Sequence, residues 1–318
     1  MKIKTSYTTT DVHVAGEAYR IMKDAPFDYY QSLQELNEQF PNIYEQEMKL
    51  LLNEPRGFAG LNGCLVVPPF KSGIDVAVVF FDHTGTVPMQ YGGIVAVLTA
   101  LLESGQLKAK PSAEYNIETV SGVVTARAIL KDEEVKAVAL KSGLCKVVKK
   151  QVPISYLDLQ TEVTFVQADH LYAIFDKAEL PFDMEIENLP EINQWGKKAL
   201  EALGEESHAF SRIILLDHSQ KSRGRIKTVT FRPDCYIVRS PGFGTLAASS
   251  TYLLENGDMF SGRQIENESI YNAKLSGELI AKNECDYSFS FSARGFITGI
   301  QTYVLDPTDP LSEGFLLQ

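Results

Sequence analysis

Apolar and polar positions alternate with period two over most of this chain and adopt helical spacing in only a few stretches. Thr10-Asp11-Val12-His13-Val14-Ala15-Gly16-Glu17 alternates into a glycine, which predicts a strand entering a turn. Over residues 26–52, Tyr30, Leu33, Leu36, Phe40 and Met48 recur at helical intervals and predict a helix. Strands are expected at 64–68, 74–82, 115–120, 122–129, 136–141 and 145–150. A second series follows at 162–167 and 171–176, then a helix near 189–203 and strands at 213–217, 226–231 and 236–239.

Two glycine-rich corners interrupt this pattern, each opening an apolar helix. Met89-Gln90-Tyr91-Gly92-Gly93-Ile94-Val95-Ala96 leads to Leu101-Leu102-Glu103-Ser104-Gly105, and Pro241-Gly242-Phe243-Gly244-Thr245-Leu246-Ala247-Ala248 leads to Leu253-Leu254-Glu255-Asn256-Gly257. Superposed, they align Gly92 with Gly244, Ala96 with Ala248 and Thr99 with Thr251, and both end at a glycine suited to a helix C-cap. The central helices are expected over 90–104 and 242–256. Paired helix starts of this kind direct bare backbone N–H groups at a small anion. Strands without regularly intervening helices indicate an α+β fold.

Composition narrows the function classes. The chain has 318 residues, 44% hydrophobic and 22% charged, with a net charge of −11. That balance argues against nucleic acid as a partner. No stretch reaches the roughly 20 apolar residues of a membrane span, and the first residues do not resemble a signal peptide, so a cytoplasmic location is expected. Cys64, Cys145, Cys235 and Cys285 form no CxxC pair, and the five histidines are scattered, so no metal site is expected.

Several blocks then resemble one family in chain order: Asp11-Val12-His13-Val14-Ala15-Gly16-Glu17-Ala18-Tyr19-Arg20, Glu54-Pro55-Arg56-Gly57 with Gly63 and Pro68-Pro69, Arg239-Ser240-Pro241, and Gly295-Phe296-Ile297-Thr298-Gly299 with Asp306-Pro307 and Asp309-Pro310. The chain resembles the proline racemase family, of diaminopimelate epimerase-like fold. The resemblance implies two pseudo-symmetric domains, each a mostly antiparallel, barrel-like sheet around a central helix, with a small amino or carboxylic acid held in the cleft between them. The expected domains are 1–158 and 159–299, with the strand at about 300–318 returning to the first. The family works without cofactor, one cysteine per domain serving as acid or base at a helix start. A helix N-terminus lowers a thiol pKa, and facing acid and base accelerate proton exchange. A homodimer is compatible with this reading.

The departures fall on the chemistry. Gln90 stands at the first cysteine position; read without a gap Gly242 stands at the second, and read with a gap that cysteine is deleted. Neither Gln90 nor Gly242 can act as a base at neutral pH. Val238 stands where the family has a substrate-binding aspartate. Candidates for a replacement base are Cys64, Asp82 and His83, each of which also has a plain structural reading as a buried thiol or a loop pair. Asp234 and Cys235 precede the second corner, while Glu17 and Arg20 are expected to pin the first turn. The ligand-binding candidates are Tyr91, Gly92, Gly93, Phe243, Gly244 and Thr245. Three functions follow: a divergent family member that binds a proline-like acid without two-cysteine racemisation, an isomerase or dehydratase using another base, or a non-catalytic partner of an active paralogue.

Overall fold

The structure, a computed structural model, describes residues 5–23, 30–156, 159–204, 210–258 and 264–317. The first part runs β1 (Thr5–Val14), β2 (Glu17–Met22), α1 (Leu33–Ile43), α2 (Glu45–Leu52), β3 (Asn62–Val67), β4 (Val76–Asp82) and β5 (Gly85–Val87). Next come α3 (Tyr91–Glu103), β6 (Glu114–Thr119), β7 (Gly122–Lys131), β8 (Glu134–Lys141), β9 (Lys146–Tyr156), β10 (Leu159–Gln167) and β11 (Leu171–Asp176). The remainder is α4 (Leu189–Leu203), β12 (Arg212–Asp217), β13 (Arg225–Phe231), β14 (Ile237–Val238), α5 (Phe243–Glu255), β15 (Gln264–Ser269), β16 (Lys274–Asn283), β17 (Asp286–Ala293) and β18 (Gly295–Leu305).

Two compact units result, the first comprising the chain up to Leu140 and again from Ala293, the second Lys141–Ser292. The divide falls earlier than the expected 158/159, because β9 runs antiparallel to β10 and belongs with the second unit. Residues 157–158 themselves lie outside the described residues. The return begins at Ala293 and not near 300, because β18 pairs with β1 from Gly295 onward.

In the first unit β18, β1 and β2 pair antiparallel, β2 pairs parallel with β3, β3 with β4 antiparallel, β4 with β6 parallel, and β6, β7 and β8 antiparallel. The second unit repeats this order with β9 through β17: its parallel pairs are β11–β12 and β13–β15, and the others are antiparallel. The pseudo-symmetric, mostly antiparallel α+β architecture expected from the sequence is therefore present.

Each sheet covers a helix that is buried on nearly every side. Residues 91–102 of α3 are all buried, and the helix packs on β1, β2, β3 and β18. The counterpart α5 packs on β9, β10, β11 and β16. A helix apolar all round is stable only when enclosed. The other face of each sheet is also covered, so central strands are buried on both faces and read as unbroken apolar runs. In β4, Phe80 lies against Gly93 of α3, while Phe81 joins the outer cluster with Leu36, Phe40 and Leu51 of α1 and α2. In the second unit α4 covers the outer face through Trp195, which meets Phe175 and Phe231 at ring-centroid separations of 5.4 and 5.8 Å.

The helix expected over 26–52 is two helices, and residues 26–29 lie outside the described residues. Ser32 caps α1, its Oγ accepting the Glu35 N–H at 3.1 Å, while Glu35 Oε2 accepts the Gln31 N–H at 2.7 Å. This reciprocal arrangement resembles a capping box and sets the start at Leu33. Pro41 lacks the N–H that would continue the ladder, and the chain restarts at α2 after Tyr44.

Gly196 lets α4 approach the sheet, since a Cβ there would overlap the Phe231 ring. Helix propensity favours Ala over Gly by about 1 kcal/mol, but overpacking a fixed core costs about 1–3 kcal/mol, and Phe231 is fully buried. The overlap wins: Gly196→Ala is expected to lower the urea midpoint of unfolding, and an unchanged or raised midpoint would refute this packing argument.

Candidate functional site

Both corners are built by the same local device. A tyrosine on β2 in the first unit and on β11 in the second presses its hydroxyl onto the first turn of the central helix. A Cβ on Gly92 would overlap Tyr19 Oη, and one on Gly244 would overlap Tyr172 Oη. Glycine is thus required at N2 of both helices because a side chain from the sheet occupies the space. Farther along, Thr99 Oγ1 donates to Val95 O at 2.8 Å and Thr251 Oγ1 to Ala247 O at 2.9 Å. At the far ends, Glu103 Oε1 accepts the Val135 N–H at 3.0 Å and Glu255 Oε1 the Tyr287 hydroxyl at 2.6 Å. The repeated Leu-Leu-Glu-x-Gly motif is therefore a tether between helix end and sheet, closed by glycines at φ 69° and 77°.

The N-caps, where the family cysteines are expected, differ from each other. Gln90 is extended, at φ −141°, with no side-chain cap. Its Nε2 donates to Asn62 Oδ1 at 3.1 Å, and Asn62 Nδ2 donates to Glu17 Oε1 at 3.0 Å. The Gln90 Oε1 atom is shielded from solvent and has no partner among the described residues. Gly242 has φ 69°, in the left-handed region, and a Cβ there would lie 3.0 Å from Thr245 Oγ1. An L-residue at this position would be strained. Asn267, fully buried, donates to Pro241 O at 3.1 Å and fixes the corner from beneath.

The remaining first-turn candidates are mostly committed to the fold. Tyr91 is buried in α3. Phe243 packs edge-on against Phe291 at 5.5 Å, so its ring fills the core of the second unit. Thr245 Oγ1 shares a hydrogen bond of 2.9 Å with Thr230 Oγ1. What the first turns offer is main chain: the N–H groups of Gly92, Gly93 and Gly244, which make no hydrogen bond among the described residues.

The proposed replacement bases are elsewhere engaged. Cys64 lies in β3 between Ile21 and Phe80 and is fully buried, which pushes its thiol well above the ordinary range. Asp82 Oδ1 accepts the Thr84 N–H at 2.8 Å and the Thr84 hydroxyl at 2.5 Å, closing the β4–β5 turn. His83 places Nδ1 3.2 Å from Asn53 Oδ1 and Nε2 3.1 Å from Phe58 O, a brace between loops. Asp234 is ion-paired with Arg232; burial opposes its ionisation, but the guanidinium holds the carboxyl below the usual range. Burial also pushes up Cys235, and pushes Cys145 up to about 12.

Arg20 pins the first hairpin through Asp11: Nε and Nη2 donate to the two Asp11 oxygens at 2.9 and 2.7 Å. It also donates to Leu51 O and Arg56 O and lies over the Tyr303 ring at 4.4 Å. The Glu54–Gly57 block is a clasp, with Arg56 donating to Leu50 O, Leu311 O and Ser312 O. Among the described residues no group of three or more His, Cys, Asp or Glu could hold a metal ion, and no helix is long and apolar enough to cross a membrane.

Sequence reading missed Tyr19, Asn62, Asp169, Tyr172 and Asn267. One signal was present: Tyr19-Arg20-Ile21 of β2 and Tyr172-Ala173-Ile174 of β11 repeat the pattern Tyr-x-Ile. Asp169 then corresponds to Gly16.

The family model described as proline racemase matches residues 9–316. The chain is 30% identical over 334 residues to the trans-3-hydroxy-L-proline dehydratase of Bacillus thuringiensis subsp. konkukian, covering all of both chains. Among solved structures it is similar to a probable proline racemase from Agrobacterium radiobacter K84 with bound carbonate, at TM-score 0.84 and 22% identity over 98% of this chain and 96% of that one. It is also similar to a hydroxyproline epimerase from Agrobacterium vitis with bound trans-4-hydroxy-L-proline, at TM-score 0.83 and 21% identity over 100% and 96% of the two chains. These structures establish the same fold.

The thiol environments carry a prediction. At neutral pH, iodoacetamide should modify exposed Cys285 in the folded protein. Cys64 and Cys145 should react only after unfolding, and Cys235 labelling should rise with pH to a midpoint above the free value of about 8.5. Labelling of Cys64 or Cys145 in the folded protein, or of Cys235 faster than a free thiol, would contradict these assignments.

Proposed function

The chain belongs to the proline racemase family, and from that premise we propose that it binds a small proline-like amino or carboxylic acid at its helix corners without two-thiol racemisation. The observation that carries this reading is the combination at the two helix starts. Both keep glycine-lined first turns whose free N–H groups suit a carboxylate, and neither has a thiol at its N-cap. Gln90 can donate and accept hydrogen bonds but cannot remove a proton from carbon at neutral pH. Gly242 provides no side chain, and its left-handed backbone disfavours one. Of the four cysteines, two are buried with raised pKa, and Cys235 is raised as well.

One finding favours a second reading. The likeness to a trans-3-hydroxy-L-proline dehydratase spans the whole chain, and an elimination needs only one base. Under that reading a group other than a corner cysteine takes the proton. The engagements of Cys64, Asp82 and His83 in the fold favour binding without turnover.

L-proline and the 3- and 4-hydroxyprolines incubated with the protein in D₂O separate the two readings. The proposal predicts saturation transfer from protein to ligand with the α-proton signal retained. Exchange or elimination that disappears on denaturing the protein would establish a replacement base and overturn the binding-only reading.

A further inference from the structure

β18 and β9 hold corresponding places in the two units. Among the described residues each pairs along one edge only, β18 with β1 and β9 with β10. A free strand edge offers unpaired N–H and C=O groups to any other chain, and folds blunt such edges with lysine, proline or bulges. β9 is blunted in this way: it carries Lys146, Lys149, Lys150 and Pro153, and its register with β10 is broken twice. β18 is not. Its eleven residues, Gly295–Leu305, include no charged side chain and no proline, in a chain of net charge −11 with 22% charged residues. Its one bulge, at Thr298, leaves Gly299–Leu305 in regular register against Thr5–Asp11.

Within that regular stretch the two faces differ. Tyr303 and Leu305 join the cluster beneath α1 and α2. Ile300, Thr302 and Val304 lie on the other face by the two-residue period and are exposed, Ile300 to 71%. Their neighbours on β1 are Thr10, Thr8 and Ser6, so the strip is two strands wide and carries no charge.

The strip is also self-complementary. The order β-branched, Thr, β-branched is the same in both chain directions. Two such edges meeting antiparallel about a two-fold axis at Thr302 set Ile300 opposite Val304 of the second copy and Thr302 opposite its own counterpart. Thr–Thr pairs are favourable across antiparallel strands, and the flanking Ile–Val pairs bury apolar surface. Two acidic chains repel wherever their charged surfaces meet, and this strip brings no charge to the contact. We propose that the free edge of β18 is an interaction surface for a second copy of this chain, the two strands pairing antiparallel about Thr302.

Sedimentation velocity of the full chain over a concentration series tests this. The unsubstituted protein is expected to approach twice its monomer mass of 35.3 kDa as concentration rises. Hydrogen–deuterium exchange of the 299–305 amides is expected to slow in parallel. Thr302→Lys gives β18 the lysine that β9 has and sets two like charges opposite each other at the axis. It is expected to raise the dimer dissociation constant at least about tenfold, whereas Val148→Lys, at an exposed position of β9, leaves it unchanged. A monomer mass at every concentration would overturn the proposal. So would a dimer that Thr302→Lys leaves intact, that Val148→Lys dissociates, or whose 299–305 amides exchange as fast as in the monomer. The exchange result comes from the unsubstituted protein and decides the matter if Thr302→Lys fails to fold.

Discussion

The structure depends on enclosing α3 and α5, two helices buried along nearly their whole length. Six branched aliphatic side chains of α3, from Ile94 to Leu102, are buried. At about 1.5–3 kcal/mol each, they contribute on the order of 10 kcal/mol as an upper estimate. That contribution is available only if a sheet closes around each helix, which explains why each unit combines antiparallel hairpins with two parallel pairs. Close enclosure restricts the first turn most: Tyr19 and Tyr172 press on Gly92 and Gly244, and neither position can accept a side chain. Small residues and bare amides at the helix starts therefore follow from packing, and any ligand chemistry is built on that geometry.

The same constraint separates the first turns from the N-caps. The enclosed turns are conditions of the fold, whereas the N-cap just outside them carries less of the packing demand. There the two units differ, with Gln90 extended and tied to Asn62 and Gly242 in the left-handed region. The chemistry of the corners is thus set at positions the packing leaves open.

Much of the architecture was legible because it is local. Period-two runs marked most strands, and α4 has the bounds its apolar spacing indicated. The repeated Leu-Leu-Glu-x-Gly located both central helices to within one residue. The start of α1 was misplaced because Ser32 and Glu35 act as a cap, a signal stronger than the apolar spacing before it. The domain boundary was misplaced because a strand's partner across the sheet, β10 for β9 and β1 for β18, is not written in its own sequence. The site was legible where it repeats and illegible where side chains arrive from elsewhere: Asn62 reaches Gln90 across 28 residues and Asn267 reaches Pro241 across 26. Asp169 Oδ1, which lies where Gly244 would carry a Cβ, is brought there only by folding.

The central claim is the proposal that glycine-lined helix starts with no thiol at their N-caps receive a proline-like ligand. The most direct measurement is the response of backbone amides to trans-4-hydroxy-L-proline in two-dimensional ¹⁵N–¹H NMR spectra of the full chain. The account predicts saturable shifts concentrated at Gly92, Gly93 and Gly244. Saturable shifts located elsewhere, with these three amides unmoved, would contradict it.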